Sequence, residues 1–73
     1  MRLSELRAFP TADDETREKI VSYIEGIRDP QTRQMFELHF LRGLSYKQTA
    51  DMLGGGITRY CIYRRVKRYA EKH

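Results

Sequence analysis

Apolar side chains recur along this 73-residue chain at helical spacing, in four stretches separated by turn-forming residues. Ile20, Ile24 and Ile27 follow one another at intervals of four and three residues, which gathers them on one face of a helix. The next stretch, around Phe36 and Phe40, is apolar over a wide arc, as expected of a central helix that is contacted on two sides. The pattern therefore predicts an all-α fold, a compact four-helix bundle with helices at about residues 12–28, 30–42, 46–53 and 59–72.

The first half of the chain contains two helix starts. Thr11 and Asp14 loosely match a capping box, and Asp29 is a good N-cap because the proline after it loses no hydrogen bond at the first helical position. We expect residues 11–73 to form one domain. Residues 1–10 would be an arm or a short fifth helix that packs on the domain or mediates self-association. The alternatives left open for this segment are a mobile partner-binding element and an arm in the DNA minor groove.

The second half of the chain has the order helix, turn, helix. Ser45 and Gln48 match the capping box, in which each side chain satisfies a backbone N–H at the other position. The short helix that they open would end at Gly54–Gly56, because three glycines accept positive φ and let the chain change direction. Thr58 is then the expected N-cap of the last helix. The inward-facing stripe of that helix is expected to contain Ile62, Val66 and Tyr69.

The outward face of the last predicted helix carries long cationic and aromatic side chains, a combination suited to the DNA major groove. Arginine can present a bidentate fork to guanine, and tyrosine can contact a thymine methyl group. The residues expected at base edges are Arg59, Tyr60, Tyr63 and Arg64. The residues expected at phosphates are Ser45, Tyr46, Lys47, Arg65, Lys67 and Arg68. For Tyr60 and Tyr63, a contact with a second subunit is the alternative.

Charge is distributed unevenly along the chain, whose net charge is +4. Residues 1–37 hold six basic and eight acidic groups, whereas residues 54–73 hold six basic groups and one acidic group. A basic C-terminal helix also complements its own macrodipole, but that effect needs cations only in the last turn, and here they begin at Arg59. The asymmetry favours a surface that meets phosphate.

A resemblance to a known family rests on the stretch IRDPQTRQMFELHFLRGLSYKQTADMLGGGITRYCIYRRVKRYAEK. It resembles the small phage and prophage regulators whose helix-turn-helix is similar to region 4 of sigma-70 factors, and the likeness covers about two thirds of the chain. The matching features are Asp29, Gly43, Leu44, Ser45, Ala50, Leu53 and Gly54. The turn has two more glycines than the common sigma-type turn, and Thr49 stands where an aliphatic residue is usual. The resemblance implies a transcriptional regulator of phage or mobile-element type.

Few side chains in the sequence suggest catalysis or metal binding. Cys61 is the only cysteine, and we expect a small buried or half-buried filler; a redox role would need its pKa lowered by Arg64 or Arg65. His39 and His73 lack partners at metal-ligand spacing, so we expect neither a metal site nor a cofactor. We expect no enzyme, because no nucleophile is paired with a histidine base and the glycine run lacks the lysine of a P-loop.

Two functions remain after these exclusions. The first is sequence-specific binding of double-stranded DNA through a helix-turn-helix, with homodimerisation left open. The alternative is a protein-interaction module that contacts RNA polymerase or another regulator without reading DNA. The chain has neither an apolar run near the roughly 18 residues of a membrane span nor a signal-peptide core, so we expect a cytoplasmic protein without a membrane partner.

Overall fold

The computed structural model describes the whole chain, Met1–His73, and it is all-α, as predicted. Its helices are α1 (Leu3–Arg7), α2 (Asp14–Glu25), α3 (Pro30–Phe36), α4 (Tyr46–Leu53) and α5 (Arg59–Lys72). A 3₁₀ turn, Phe9–Thr11, separates α1 from α2, and a π-helical segment, Glu37–Leu41, continues α3. No helix combines the length and the apolar character that crossing a lipid bilayer would require.

The start of α2 differs from the prediction. The Asp13 carboxylate accepts a hydrogen bond from the Thr16 N–H at 2.8 Å, so Asp13 is the N-cap. Thr11 instead belongs to the preceding 3₁₀ turn. The hydrogen bond from Thr16 is the main reason that the pKa of the Asp13 carboxyl lies below its ordinary value.

The end of α2 also comes earlier than predicted. The helix stops at Glu25, not at Arg28, and Gly26 is its C-cap. Glycine has a low helix propensity, which favours a stop at this position. Ile27 leaves the helix but is still fully buried, and the Arg33 side chain donates a hydrogen bond to its carbonyl oxygen at 3.1 Å. The isoleucine stripe therefore reaches the core even though its last member is not helical.

The central helix contains a wide turn that the sequence pattern did not predict. Asp29 caps α3 as expected, since its carboxylate accepts from the Thr32 N–H at 2.9 Å. In the π-helical segment the Arg42 N–H donates to the Glu37 carbonyl at 3.0 Å, five residues back instead of four. Phe36 and Phe40 lie on either side of the change, and both are buried.

One hydrophobic core joins all five helices. The buried apolar residues are Leu6, Ile20, Ile24, Ile27, Met35, Phe36, Phe40, Ala50, Ile62, Val66 and Ala70. Leu6 is fully buried, so the N-terminal segment packs on the domain, as the favoured prediction had it. Ile62 and Val66 are fully buried on the inner face of α5, and Tyr69 packs against the core from its edge. Thr49 is buried too, and its hydroxyl donates to the Ser45 carbonyl at 2.8 Å, so this polar substitution leaves no unpaired group.

The connection between α4 and α5 follows the predicted capping pattern. At the start of α4 the Ser45 Oγ accepts from the Gln48 N–H at 3.0 Å, and the Ser45 N–H donates to Gln48 Oε1 at 2.9 Å. All three residues of Gly54–Gly56 have positive φ, which lets the chain reverse within the turn. The Thr58 hydroxyl then accepts from the Cys61 N–H at 3.3 Å and caps α5.

Candidate nucleic-acid interface

The last helix, α5, is divided into a buried face and an exposed face. Ile62 and Val66 have no exposed surface, whereas Tyr60 is 61% exposed and Tyr63 is 43% exposed. The other outward residues are Arg59, Arg64, Lys67 and Arg68, and all of them are exposed. The four residues predicted to meet base edges therefore lie together on the solvent side of one helix.

Two cations of this face lie over tyrosine rings. The Arg59 guanidinium carbon is 5.2 Å from the centre of the Tyr60 ring, and the Lys67 Nζ is 5.8 Å from the centre of the Tyr63 ring. Cation–π attraction of this kind restricts the positions of long side chains that solvent would otherwise leave mobile. Arg64 lies between these pairs and takes part in none of the ion pairs of the protein.

Arg65 differs from its neighbour because it is attached to the start of α3. Its guanidinium donates to Gln31 Oε1 at 2.5 Å and lies 3.8 Å from the Asp29 carboxylate. The pKa of Asp29 is lowered, mainly by hydrogen bonds from Thr32 and to a smaller extent by Arg65 and Arg33. Arg65 therefore already has a carboxylate partner, and a phosphate would have to share it.

Cys61 is exposed, which contradicts the prediction of a buried or half-buried filler. The position one residue before Ile62 turns its side chain to the flank of α5, where a shallow depression of about 260 Å³ is lined by Cys61, Arg64, Arg65 and Arg68. Hydrogen bonds from Thr58 lower the pKa of the thiol, and Arg64 and Arg65 add to the effect. Three guanidinium groups thus surround one depression next to the predicted base-reading residues.

The start of α4 adds polar groups beside α5. Lys47 is exposed, and Ser45 uses both its hydroxyl and its backbone N–H in the capping box. Tyr46 is half-buried: its ring stacks on His39 with centroids 4.1 Å apart and meets the Tyr63 ring edge-on at 5.6 Å. Of the three residues predicted here to touch phosphate, Lys47 is the one that makes no side-chain hydrogen bond within the protein, whereas Tyr46 mainly contacts other side chains.

Arg7 and His39 lie next to this surface, and sequence reasoning did not place them there. The Arg7 guanidinium donates to the Tyr46 hydroxyl at 2.6 Å and lies 3.2 Å from His39 Nε2. The other ring nitrogen, Nδ1, is 2.7 Å from the Leu44 carbonyl oxygen. Arg7 and His39 are 32 positions apart in the sequence, so no local pattern could have indicated the contact.

The arrangement as a whole is a basic and aromatic surface on α5 that continues, through Tyr46, onto the start of α4. No three His, Cys, Asp or Glu side chains converge where a metal ion could be held. Fold and site together define an all-α protein with one cationic helix face. Comparisons with known protein families, with curated proteins and with solved structures found no match to this chain.

Proposed function

We propose that α4 and α5 act as a helix-turn-helix that binds double-stranded DNA with sequence preference, in a transcriptional regulator of phage or mobile-element type. The observation that carries the proposal is the division of α5. Its apolar stripe is fully buried, and its outer face presents two cation–tyrosine pairs around Arg64. A major groove about 12 Å wide admits one α-helix and exposes donor and acceptor groups that arginine can read. The regulator class comes from the sequence resemblance to sigma-70 region 4.

Phosphate contacts would come from both sides of α5. On one side, α4 offers Lys47 together with the first backbone N–H groups of the helix, which lie before its first internal bond, from Thr49 N–H to the Ser45 carbonyl. On the other side, Lys67 and Arg68 are exposed on α5 itself. These groups would fix the orientation of the helix on the duplex, whereas Arg64 and its aromatic neighbours would contact base edges.

Salt dependence of binding tests the DNA proposal. We expect fluorescence anisotropy with a labelled random-sequence duplex to show binding at low salt, with log K falling against log salt at a slope of about −3 to −4 if roughly four cations neutralise phosphates. Lys19→Ala is a suitable control, because Lys19 is exposed on α2 and pairs only with Glu15. No binding at low salt would contradict the proposal and favour the module that contacts polymerase or another regulator.

Sequence reading requires a second comparison, on a duplex selected from a random pool. Arg64→Ala should weaken binding to the selected duplex by about 1–3 kcal/mol and bring it closer to binding of random DNA. Lys67→Ala should weaken binding to both duplexes about equally. If both variants lost the same affinity on both duplexes, α5 would contribute charge alone and no sequence preference.

A further inference from the structure

We propose that Arg7 and His39 are positioning residues for the DNA-binding surface: they fix Tyr46 and, through it, Tyr63 of α5, so that uptake of a proton by His39 weakens DNA binding. This inference rests on the proposed function and adds to it a role for the N-terminal helix. The three side chains Arg7, His39 and Tyr46 are called the α1–α4 cluster below.

The α1–α4 cluster joins three elements that are far apart in the sequence. Arg7 comes from α1, His39 from the π-helical segment and Tyr46 from the first turn of α4. The guanidinium of Arg7 reaches both partners, with one nitrogen on the Tyr46 hydroxyl at 2.6 Å and the other on His39 Nε2 at 3.2 Å. The rings of His39 and Tyr46 are almost parallel, 16° apart, with centroids separated by 4.1 Å. Tyr46 is therefore held at its hydroxyl end and across one ring face.

The same tyrosine ring connects the α1–α4 cluster to the outer face of α5. The Tyr63 ring stands edge-on to Tyr46, at 82° and with centroids 5.6 Å apart, and Lys67 lies over Tyr63. Tyr63 and Lys67 are two of the residues that the proposed function places at a base edge and at a phosphate. A shift of Tyr46 would thus change the support of both without altering any group that touches DNA.

The hydrogen bonds of His39 require a neutral ring. The Leu44 carbonyl can only accept, so Nδ1 carries the proton, and Nε2 is left to accept from Arg7. Protonation would place an N–H and a positive charge against the guanidinium, and this contact would be lost. The charged and titratable groups that face His39 are Arg7 from α1 and Tyr46 from α4, while Phe40 packs edge-on from its own segment. Burial and the Arg7 charge both keep the pKa of His39 below its ordinary value.

The direction of the pH effect distinguishes positioning from simple charge. A histidine that acted only as an added cation would strengthen DNA binding on acidification. The α1–α4 cluster predicts the opposite, because the positive charge appears beside Arg7 and not beside a phosphate. The effect should begin as the pH falls below about 6.5, the ordinary histidine value.

The first experiment measures duplex affinity by anisotropy at about pH 7.5 and about pH 5.5, in a His73→Gln background that leaves His39 as the only histidine. We expect affinity to fall about fivefold on acidification, roughly the loss of one hydrogen bond to a charged donor. His39→Gln has an amide that does not titrate, so its affinity should change less than about twofold over the same range. An affinity that rises on acidification, or that changes equally in both proteins, overturns the inference.

The second experiment removes the arginine. Arg7→Met keeps the length of the side chain but loses both polar contacts, and Arg2→Met is the matched control because it removes the same charge from the same segment, where the Arg2 guanidinium is exposed. Arg7→Met should lower affinity about fivefold more than Arg2→Met. In NMR titrations without DNA, Arg7→Met should also raise the pKa of His39, and Arg2→Met should leave it unchanged.

The outcomes separate this inference from the function on which it rests. If the unmodified chain binds no duplex at low salt, the proposed function fails and the inference fails with it. If the unmodified chain binds, but Arg7→Met behaves like Arg2→Met in both measurements, the inference alone is wrong. Circular dichroism of each variant, recorded first, verifies that the fold is retained, and the acidification of the unmodified protein needs no substitution in the α1–α4 cluster.

Discussion

Ile62 and Tyr60 are two residues apart on α5 but belong to opposite faces, and this makes a sharp test of how the helix is seated. Ile62 is fully buried, whereas Tyr60 is 61% exposed. Ile62→Ala deletes three carbon atoms from the point where α5 packs on the rest of the core, and the surrounding side chains can only partly fill the space. Tyr60→Ala removes a larger side chain, but one that mostly faces solvent.

The expected magnitudes follow from this difference in burial. Ile62→Ala should lower the free energy of unfolding by about 2–5 kcal/mol, the range for truncating a buried isoleucine to alanine. A chain of this length has a total stability of roughly 4–11 kcal/mol, so the variant would lose a large share of it. At about 4–8 °C per kcal/mol, the melting temperature should fall by about 10–25 °C. Tyr60→Ala should change stability by less than about 0.5 kcal/mol.

Urea and thermal unfolding followed by circular dichroism, with both variants beside the unmodified protein, provide the measurement. Tyr60→Ala should then weaken DNA binding while its unfolding curve stays in place. Equal effects of the two substitutions on stability, or a larger effect of Tyr60→Ala, would show that α5 is rotated from the orientation described here, and the assignment of its outer face would be wrong.

Three further predictions concern the turn, a cap and pH. Gly55→Ala should destabilise by about 1 kcal/mol in urea unfolding because φ at Gly55 is +64°, whereas Gly26→Ala, at a φ of −76°, should be neutral or slightly stabilising. Ser45→Ala should lower the free energy of unfolding by about 1 kcal/mol through loss of the capping box, and an unchanged value would contradict the importance of that cap. His39 has a lowered pKa in the folded protein, so the unfolded chain binds its proton first; stability should fall as the pH drops below 6.5 towards the folded value, and His39→Gln should remove this step. Asp29 also has a lowered pKa, so a separate loss should appear below about pH 3.8 and be absent in Asp29→Asn.

The sequence predicted the elements whose causes are local. Ser45 and Gln48 cap each other across three residues, and Ile62 and Val66 share a stripe because a helix brings positions four apart together. For the same reason the outer face of α5 could be assigned residue by residue before any coordinates. The start of α2 was misplaced by two residues because Thr11, Asp13 and Asp14 are all acceptable caps, and only the geometry of the preceding 3₁₀ turn decides between them.

Features that depend on tertiary contacts were missed. Cys61 was assigned to the interior from its place beside Ile62, but adjacent helical residues point about 100° apart, and the flank that Cys61 occupies is left uncovered. Arg7 was considered as a DNA arm or as part of a packing segment, and its partners, His39 and Tyr46, could be found only once the chain had folded back on itself. The protonation behaviour of His39 depends on those partners and was therefore equally hidden.

The wide turn at Glu37–Leu41 has a consequence for how this chain can vary. A π-helical turn holds one residue more than an α-helical turn, so a single deletion there could restore regular α-helical hydrogen bonding. The cost would appear downstream, because everything after Leu41 would be rotated by about 100° and moved by about 1.5 Å relative to Phe36. Single-residue deletions in this segment should therefore be tolerated by the helix and rejected by the assembled protein, whereas Gly54–Gly56, which contacts little, should accept changes of length.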